Sequence, residues 1–332
     1  MKDMLDLKRS FHALRGMRGM SLVELMVAMT IGLLITAAIG YIYLGSRQTF
    51  RTVDDFSRIQ ENYRYALDQI GVDVRNAGFS GCVNVAINPS PGVPAGVLAP
   101  AAHVLRQSIQ GYAGAAAWPG PAPAPANYVS NTEVLRIVAS SGQGINVTAP
   151  MAGAAAAIAI ADNPAGFAAG DALVISDCTH ADVFNAGAVG GTTSVTPAAT
   201  LQKPYSTGAE VYPLVDTVYF IGSNAAGNPS LYRRQNNNPV EELVENVENM
   251  VLRYGVDTTI PNDFAADNYQ AVAGVADWLR VISTRVNLVF VSNNAVATGV
   301  QPCVVEGADC SQADGLLRQV ATATYGLRNR LP

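Results

Sequence analysis

The sequence predicts an α+β protein in which one long amino-terminal helix packs against a mostly antiparallel, β-rich domain. Three observations carry that expectation. An uncharged, apolar run covers residues 25–44 and passes, with no proline, into an amphipathic pattern that lasts to residue 77. Beyond Gly78, short apolar stretches rich in Val and Ile recur between Gly, Pro and Asn, as strands and turns do. The chain has 332 residues, 14% of them charged, which is ample for a sizeable core. Much of its 49% hydrophobic content is alanine, so the core is smaller than that figure suggests.

The first element is a short basic leader, residues 1–19. Lys2, Lys8, Arg9, Arg15 and Arg18 outweigh Asp3 and Asp6 by three charges. The whole chain has 21 basic and 26 acidic residues; without the leader's five and two, 16 and 24 remain, a balance of −8. Such an acidic protein lacks the basic surface that neutralises phosphates, so no nucleic-acid partner is expected. Residues 25–44 follow. Twenty apolar residues at about 1.5 Å each cover a hydrocarbon layer of about 30 Å. Tyr41 and Tyr43 stand where an interfacial aromatic belt would lie, and Arg47 closes the span. Positive charge ahead of the span predicts a cytoplasmic amino terminus and an exported remainder. An ordinary secretory signal would be cut after the apolar run, which here is too long and continues as helix. An uncleaved signal anchor explains everything except Glu24. A carboxylate at the edge of a span is costly and points to function, although a helix amino terminus also favours a negative charge there.

From residue 45 to residue 77, Phe50, Val53, Phe56, Ile59, Tyr63, Ala66, Leu67, Ile70 and Val74 recur mostly at three- and four-residue steps. Charged residues, Asp55 and Asp73 among them, fill the other faces. Such a stripe is ordinarily core packing. If helix runs unbroken over residues 20–77, its length is roughly 87 Å, with Gly71 tolerated within it and Gly78 ending it.

The run Gly19-Met20-Ser21-Leu22-Val23-Glu24-Leu25 and the apolar span after it resemble the class III signal of type IV prepilins and type II secretion pseudopilins. The resemblance implies that a prepilin peptidase cuts after Gly19 and methylates the amine of Met20. It also implies that Glu24 pairs with the amine of a neighbouring subunit during assembly. Met20 replaces the commoner Phe. Further blocks narrow the family. Residues 73–82, Asp-Val-Arg-Asn-Ala-Gly-Phe-Ser-Gly-Cys, resemble PilW-type minor pilins. So do Phe167-Ala-Ala-Gly-Asp171 with Val174-Ile-Ser-Asp-Cys178 and Phe184, and the closing Leu327-Arg-Asn-Arg330. Residues 243–250 with Tyr254-Gly-Val-Asp257 resemble a block shared with J-type pseudopilins. The order of the blocks along the chain carries the resemblance. It implies a leader (1–19), a pilin helix (20–77, with 20–44 in the inner membrane) and a periplasmic β-rich domain (78–332). The implied partners are other minor pilins, the major pilin, the peptidase and a tip adhesin, and the implied place is a complex at the filament tip that primes assembly. The alternative is a J-type minor pseudopilin of a type II secretion system. A membrane-anchored enzyme or sugar-binding protein is a third reading, and predicts a deep pocket with convergent polar groups.

The rest of the chain is less explicit. Residues 86–130 are rich in Pro, Gly and Ala and read as a long loop. Strands are expected at 134–138, 145–148, 152–161, 172–176, 210–215, 217–221, 231–234, 251–256 and 279–291, with a hairpin turn at 224–229. Residues 241–248 suit a short helix or a strand. Four cysteines after the span allow three pairings, and in an oxidising compartment they form disulfides. Proximity and the family blocks favour Cys303 with Cys310 and Cys82 with Cys178. The pair Cys178 and His180 has the look of metal ligands, but Cys178 has the better use. Asp257, Asn262, Asp263, Asp267 and Asn268 share one loop whose oxygens suit calcium. Their spacing is not that of an EF-hand, and a polar loop is the preferred reading. No cofactor, metal or catalytic group is expected.

Overall fold

The computed structural model describes residues 19–83, 105, 107–113, 118, 124–295 and 299–331. The leader before Gly19 and most of the segment 86–130 lie outside the described residues. The chain divides into two compact units, residues 1–53 and 54–332. Helix α1 (Leu22–Asn76) contributes to both. In the first unit the described residues are almost all exposed.

The second unit is α+β. Its strands are β1 (Ile109–Tyr112), β2 (Val134–Ser140), β3 (Ile145–Asn146), β4 (Ile158–Ala159), β5 (Ala172–Ser176), β6 (Ala181–Gly190), β7 (Ser194–Pro197) and β8 (Glu210–Ser223). They continue with β9 (Pro229–Gln235), β10 (Glu241–Glu245), β11 (Val247–Val256), β12 (Asn268–Gln270), β13 (Val281–Ala295), β14 (Val304–Val305), β15 (Ala308–Asp309) and β16 (Leu316–Gly326). Strands β1 to β10 form one sheet, and β12-β11-β13-β16 form a second, antiparallel one. The hub of the first is β8. Its carboxy-terminal half pairs with β2 and β9, and its amino-terminal half with β3 and β5.

Several expectations change. The two strands expected at 210–221 are one, because Asp216, between them, keeps its backbone pairing with Val138. Residues 241–245 are strand, paired with β9. Within 152–161 only Ile158 and Ala159 are strand. β1 lies inside the segment read as loop and pairs with β2. Strands β6, β7 and β16 were not expected at all.

The second-unit part of α1 buries Ile59, Ala66, Ile70 and Val74 among residues of both sheets, including Leu135, Tyr219, Met250, Leu288 and Phe290. Each fully buried Ile or Val contributes roughly 1.5–3 kcal/mol. Asp55, which the pattern put on a charged face, is buried. Gly71 is required, not merely tolerated: a Cβ there would lie 2.6 Å from Cε1 of Tyr325. That ring is held, because its hydroxyl donates to the carbonyl of Leu67 at 2.6 Å. The helix stops at Gly78, whose φ of +77° is left-handed and whose N–H donates to Val138 O.

Cys82 bonds Cys178 and Cys303 bonds Cys310, with Cα separations of 4.6 and 4.9 Å. Cys178 adopts φ +66° in a turn built by Asp177. Asp177 Oδ1 accepts from the Thr179 hydroxyl at 2.7 Å and from the amides of Thr179 and His180, and Oδ2 pairs with Lys203. Partial burial opposes ionisation of Asp177, but Lys203 and these donors outweigh it and hold its carboxyl down at about 2. The smaller ring has anchors of its own. Val305 packs on Val289, and Glu306 accepts from Asn287 Nδ2 at 3.0 Å.

Three outcomes are expected, each read by thermal unfolding of a fragment lacking residues 1–45. Gly71→Ala costs about 1–2 kcal/mol net, since the clash exceeds the roughly 1 kcal/mol that alanine gains in a helix. Cys82→Ser lowers the midpoint more than Cys303→Ser, because in the chain-entropy model the longer loop contributes about 4–5 kcal/mol and the shorter about 2.5. Asp177 has its native pKa depressed, so its contribution is present above the unfolded value near 3.8 and is lost as pH falls towards about 2. Asp177→Asn should therefore be less stable at pH 7 and lose less over that acid interval.

Candidate functional site

Gly19, Met20 and Ser21 precede α1 and are exposed. At the first turn, the Ser21 N–H donates to Glu24 Oε2 at 3.0 Å, and the Glu24 N–H donates to Ser21 Oγ at 3.2 Å. This reciprocal capping box satisfies two backbone donors, one of them an open N–H of the helix start. It sets the carboxylate where the helix dipole favours it. Oε1 of Glu24 makes no hydrogen bond among the described residues. Sequence reasoning singled out Glu24 and missed Ser21, although the Ser-x-x-Glu spacing was there to be read.

Beyond this cap the helix is long and apolar enough to cross a membrane, and its most apolar window is wholly exposed. Leu22, Leu33, Leu34 and Ile42 are among the bare side chains. The threonine hydroxyls inside the run stay within the helix: Thr30 donates to Val27 O and Thr36 to Gly32 O, both at 2.8 Å. Neither threonine of the run is left with an unpaired hydroxyl.

In the second unit the polar residues of the closing tail and of the loop after β11 are architectural. The closing tail pins the end of α1. Asn329 Nδ2 donates to the carbonyls of Asn76 and Ala77, each at 3.2 Å. Arg330, buried, donates to Val281 O at 2.6 Å, to Trp278 O and to Ser108 Oγ. Burial brings its pKa down to about 10.

The polar loop after β11 consumes its own oxygens. Asp257 accepts from the amides of Thr259 and Phe264, and Asp263 from that of Ala265. Asp267 Oδ2 takes the amide and hydroxyl of Thr258, both at 2.7 Å, and Asn262 Oδ1 takes Arg280. Among the described residues no group of three His, Cys, Asp or Glu side chains is placed to hold a metal. Cys178 is spent in a disulfide, and His180 Nδ1 lies 2.9 Å from Thr179 Oγ1, so these two do not form a ligand pair.

Residues 14–40 match the family model of the prokaryotic N-terminal methylation motif. Residues 218–329 match that of type IV pilus-assembly protein W, PilW. No curated protein matches the chain. The first match covers the capping box and the start of the apolar run. The second runs from the carboxy-terminal half of β8 through the second sheet to Asn329, which caps α1. With a methylation motif at one end and the PilW region at the other, the two matches are consistent with a PilW-like minor pilin of the type IV pilus.

Proposed function

We propose that the chain is made as a prepilin, cut after Gly19, methylated on the Met20 amine and assembled into a tip complex that primes the filament. In this reading residues 1–19 are the leader, 20–77 the pilin helix and 78–332 the interacting domain. Residues 20–44 hold the subunit in the inner membrane, amino terminus inward and β domain in the periplasm, until it is drawn into the filament. Its work is packing of helices and domain surfaces against other minor pilins, the major pilin and a tip adhesin, with no catalysis.

The supporting observation is the state of Glu24. One carboxylate oxygen is bound by its own helix cap and the other makes no hydrogen bond among the described residues, at the edge of an exposed apolar span. A carboxylate brought into a low-dielectric bundle needs a cation, and a neighbour's amino terminus supplies one. The disulfides suit an oxidising compartment. The matched pilus-assembly model favours the pilus over the pseudopilin reading.

Substitution separates the cap from the ion pair. Glu24→Gln preserves a Ser-x-x-Gln capping box but removes the charge. Both Glu24→Gln and Glu24→Ala should still be cut after Gly19 yet be lost from sheared filaments. Normal incorporation of Glu24→Gln would sink the ion-pair role. Mass spectrometry of the mature protein should find methylated Met20 at the amino terminus; an intact leader would overturn the prepilin route.

A further inference from the structure

A cleft of about 310 Å³ opens in the second unit between the last turns of α1 and the facing side of the larger sheet. That size is at the lower end for ligand sites, which run roughly 300–1,000 Å³. Its walls divide by chemistry. Phe79, Ile137, Ala139 and Val215 supply apolar surface, and Asp73, Asn76, Thr217 and Gln235 supply oxygens. The sheet sets these out in register, with Ile137 beside Thr217, Thr217 beside Gln235, and Ala139 beside Val215.

Asp73 decides what the cleft suits. Its Oδ2 accepts the Tyr219 hydroxyl at 2.6 Å, and its Oδ1 makes no hydrogen bond among the described residues. Nor do the side chains of Asn76, Thr217 and Gln235. The nearby cation, Arg233, bonds Glu241 at 2.8 Å and Gln69 at 3.4 Å; its charge favours the ionised Asp73, but it makes no ion pair with Asp73 among the described residues. A half-buried carboxylate with one oxygen unused is costly unless a donor reaches it, and a cationic donor offsets most of that cost. Partial burial already pushes its pKa up.

We propose that this cleft receives the basic side chain, arginine or lysine, of a partner polypeptide. The apolar walls take the methylene stem, and the charged head meets Asp73 Oδ1 among the neutral oxygens. A neutral sugar would bring the carboxylate no cation in direct contact, and a purely apolar group would bury its second oxygen without a donor. The balance of −8 outside the leader favours the approach of a basic partner. The proposal stands on the cleft and is independent of the filament role.

The test uses the full chain in detergent micelles, with amide chemical shifts followed by NMR. The probes are the blocked tripeptides acetyl-Gly-Arg-Gly-amide and acetyl-Gly-Lys-Gly-amide, with acetyl-Gly-norleucine-Gly-amide as the uncharged control. At least one basic peptide should cause saturable shifts at Ala139, Val215, Thr217 and Gln235, and the control should not. Asp73→Asn should weaken that binding about tenfold or more, the loss of one charge-assisted hydrogen bond. Ala139→Leu fills the cleft without touching the Asp73–Tyr219 contact, and should abolish binding while the unfolding midpoint stays put. No saturable shift with either basic peptide, equal binding of the control, or unchanged binding in a folded Ala139→Leu chain would each overturn the proposal.

Discussion

The last carbonyls of a helix lack intrahelical partners, and in this chain the amides of Ala77 and Phe79 and the far terminus supply them. Asn329 reaches the carbonyls of Asn76 and Ala77. Four residues earlier, Tyr325 covers Gly71 and bonds the carbonyl of Leu67. The last strand, β16, is held to the second sheet by β13, so docking of the helix and completion of that sheet are one event. The Leu327-Arg-Asn-Arg330 block is explained by this: Leu327 and Arg330 are buried, and Asn329 is the cap. Nothing in the block needs a ligand to account for it.

Much of this was legible in the sequence where local chemistry dominates. The helix was readable from an apolar run and a three-four periodicity with no proline, and Gly78 from its place at the end of that periodicity. The strand at 172–176 and the turn after β8 were readable from β-branched runs and Asn-Gly chemistry. What failed depends on partners distant in sequence. Strand β6 contains Gly, Ala and Asn with little alternation and β7 is only four residues ending in Pro; they are strand because they pair with each other, with β5 and with β4. β1 sits among Pro- and Gly-rich neighbours, and its Ile109 is buried because β2 and α1 cover it. At the amino terminus Glu24 was legible as an anomaly; that its own helix already uses one of its oxygens was not inferred, although the spacing to Ser21 carries that information.

The charged residues of the interior are each tied to at least one partner where bonds are seen, though not every buried atom is engaged. Arg318, with a side chain 1% exposed, is gripped by Glu248 and Asp314 through four hydrogen bonds of 2.7–3.1 Å. It ties β16 to β11 where apolar packing alone would specify the register less strictly. Asp182 accepts from Tyr205 and from the Gln202 amide through Oδ2, its buried Oδ1 has no hydrogen-bond partner among the described residues, and burial raises its pKa. Such pairs contribute less to stability than to uniqueness, since well-packed apolar groups often do as well energetically. Asp73 shares the single unbonded oxygen seen at Asp55 and Asp182, but it is only partly buried and lines a cleft that a partner can enter.

The segment from Asn76 to Cys82 is where these constraints converge. Gly78 N–H bonds Val138 O, and the Ser140 N–H bonds the carbonyl of Phe79. Phe79 packs edge-on against Tyr212 at 5.7 Å. Cys82 is then joined covalently to a turn that Asp177 and Lys203 hold. Two backbone hydrogen bonds, an aromatic contact, a disulfide and the Asn329 cap act within seven residues, and they attach to β2, β8, the turn after β5 and the tail. Removing any one leaves the others, so the helix end should tolerate single losses in position while losing stability in steps. The disulfide differs from the rest because it acts on the unfolded chain as well, shrinking the ensemble that the hydrogen bonds must otherwise order. Its loss would therefore be felt across the whole second unit, whereas loss of the Asn329 cap would loosen the last turn of α1 first.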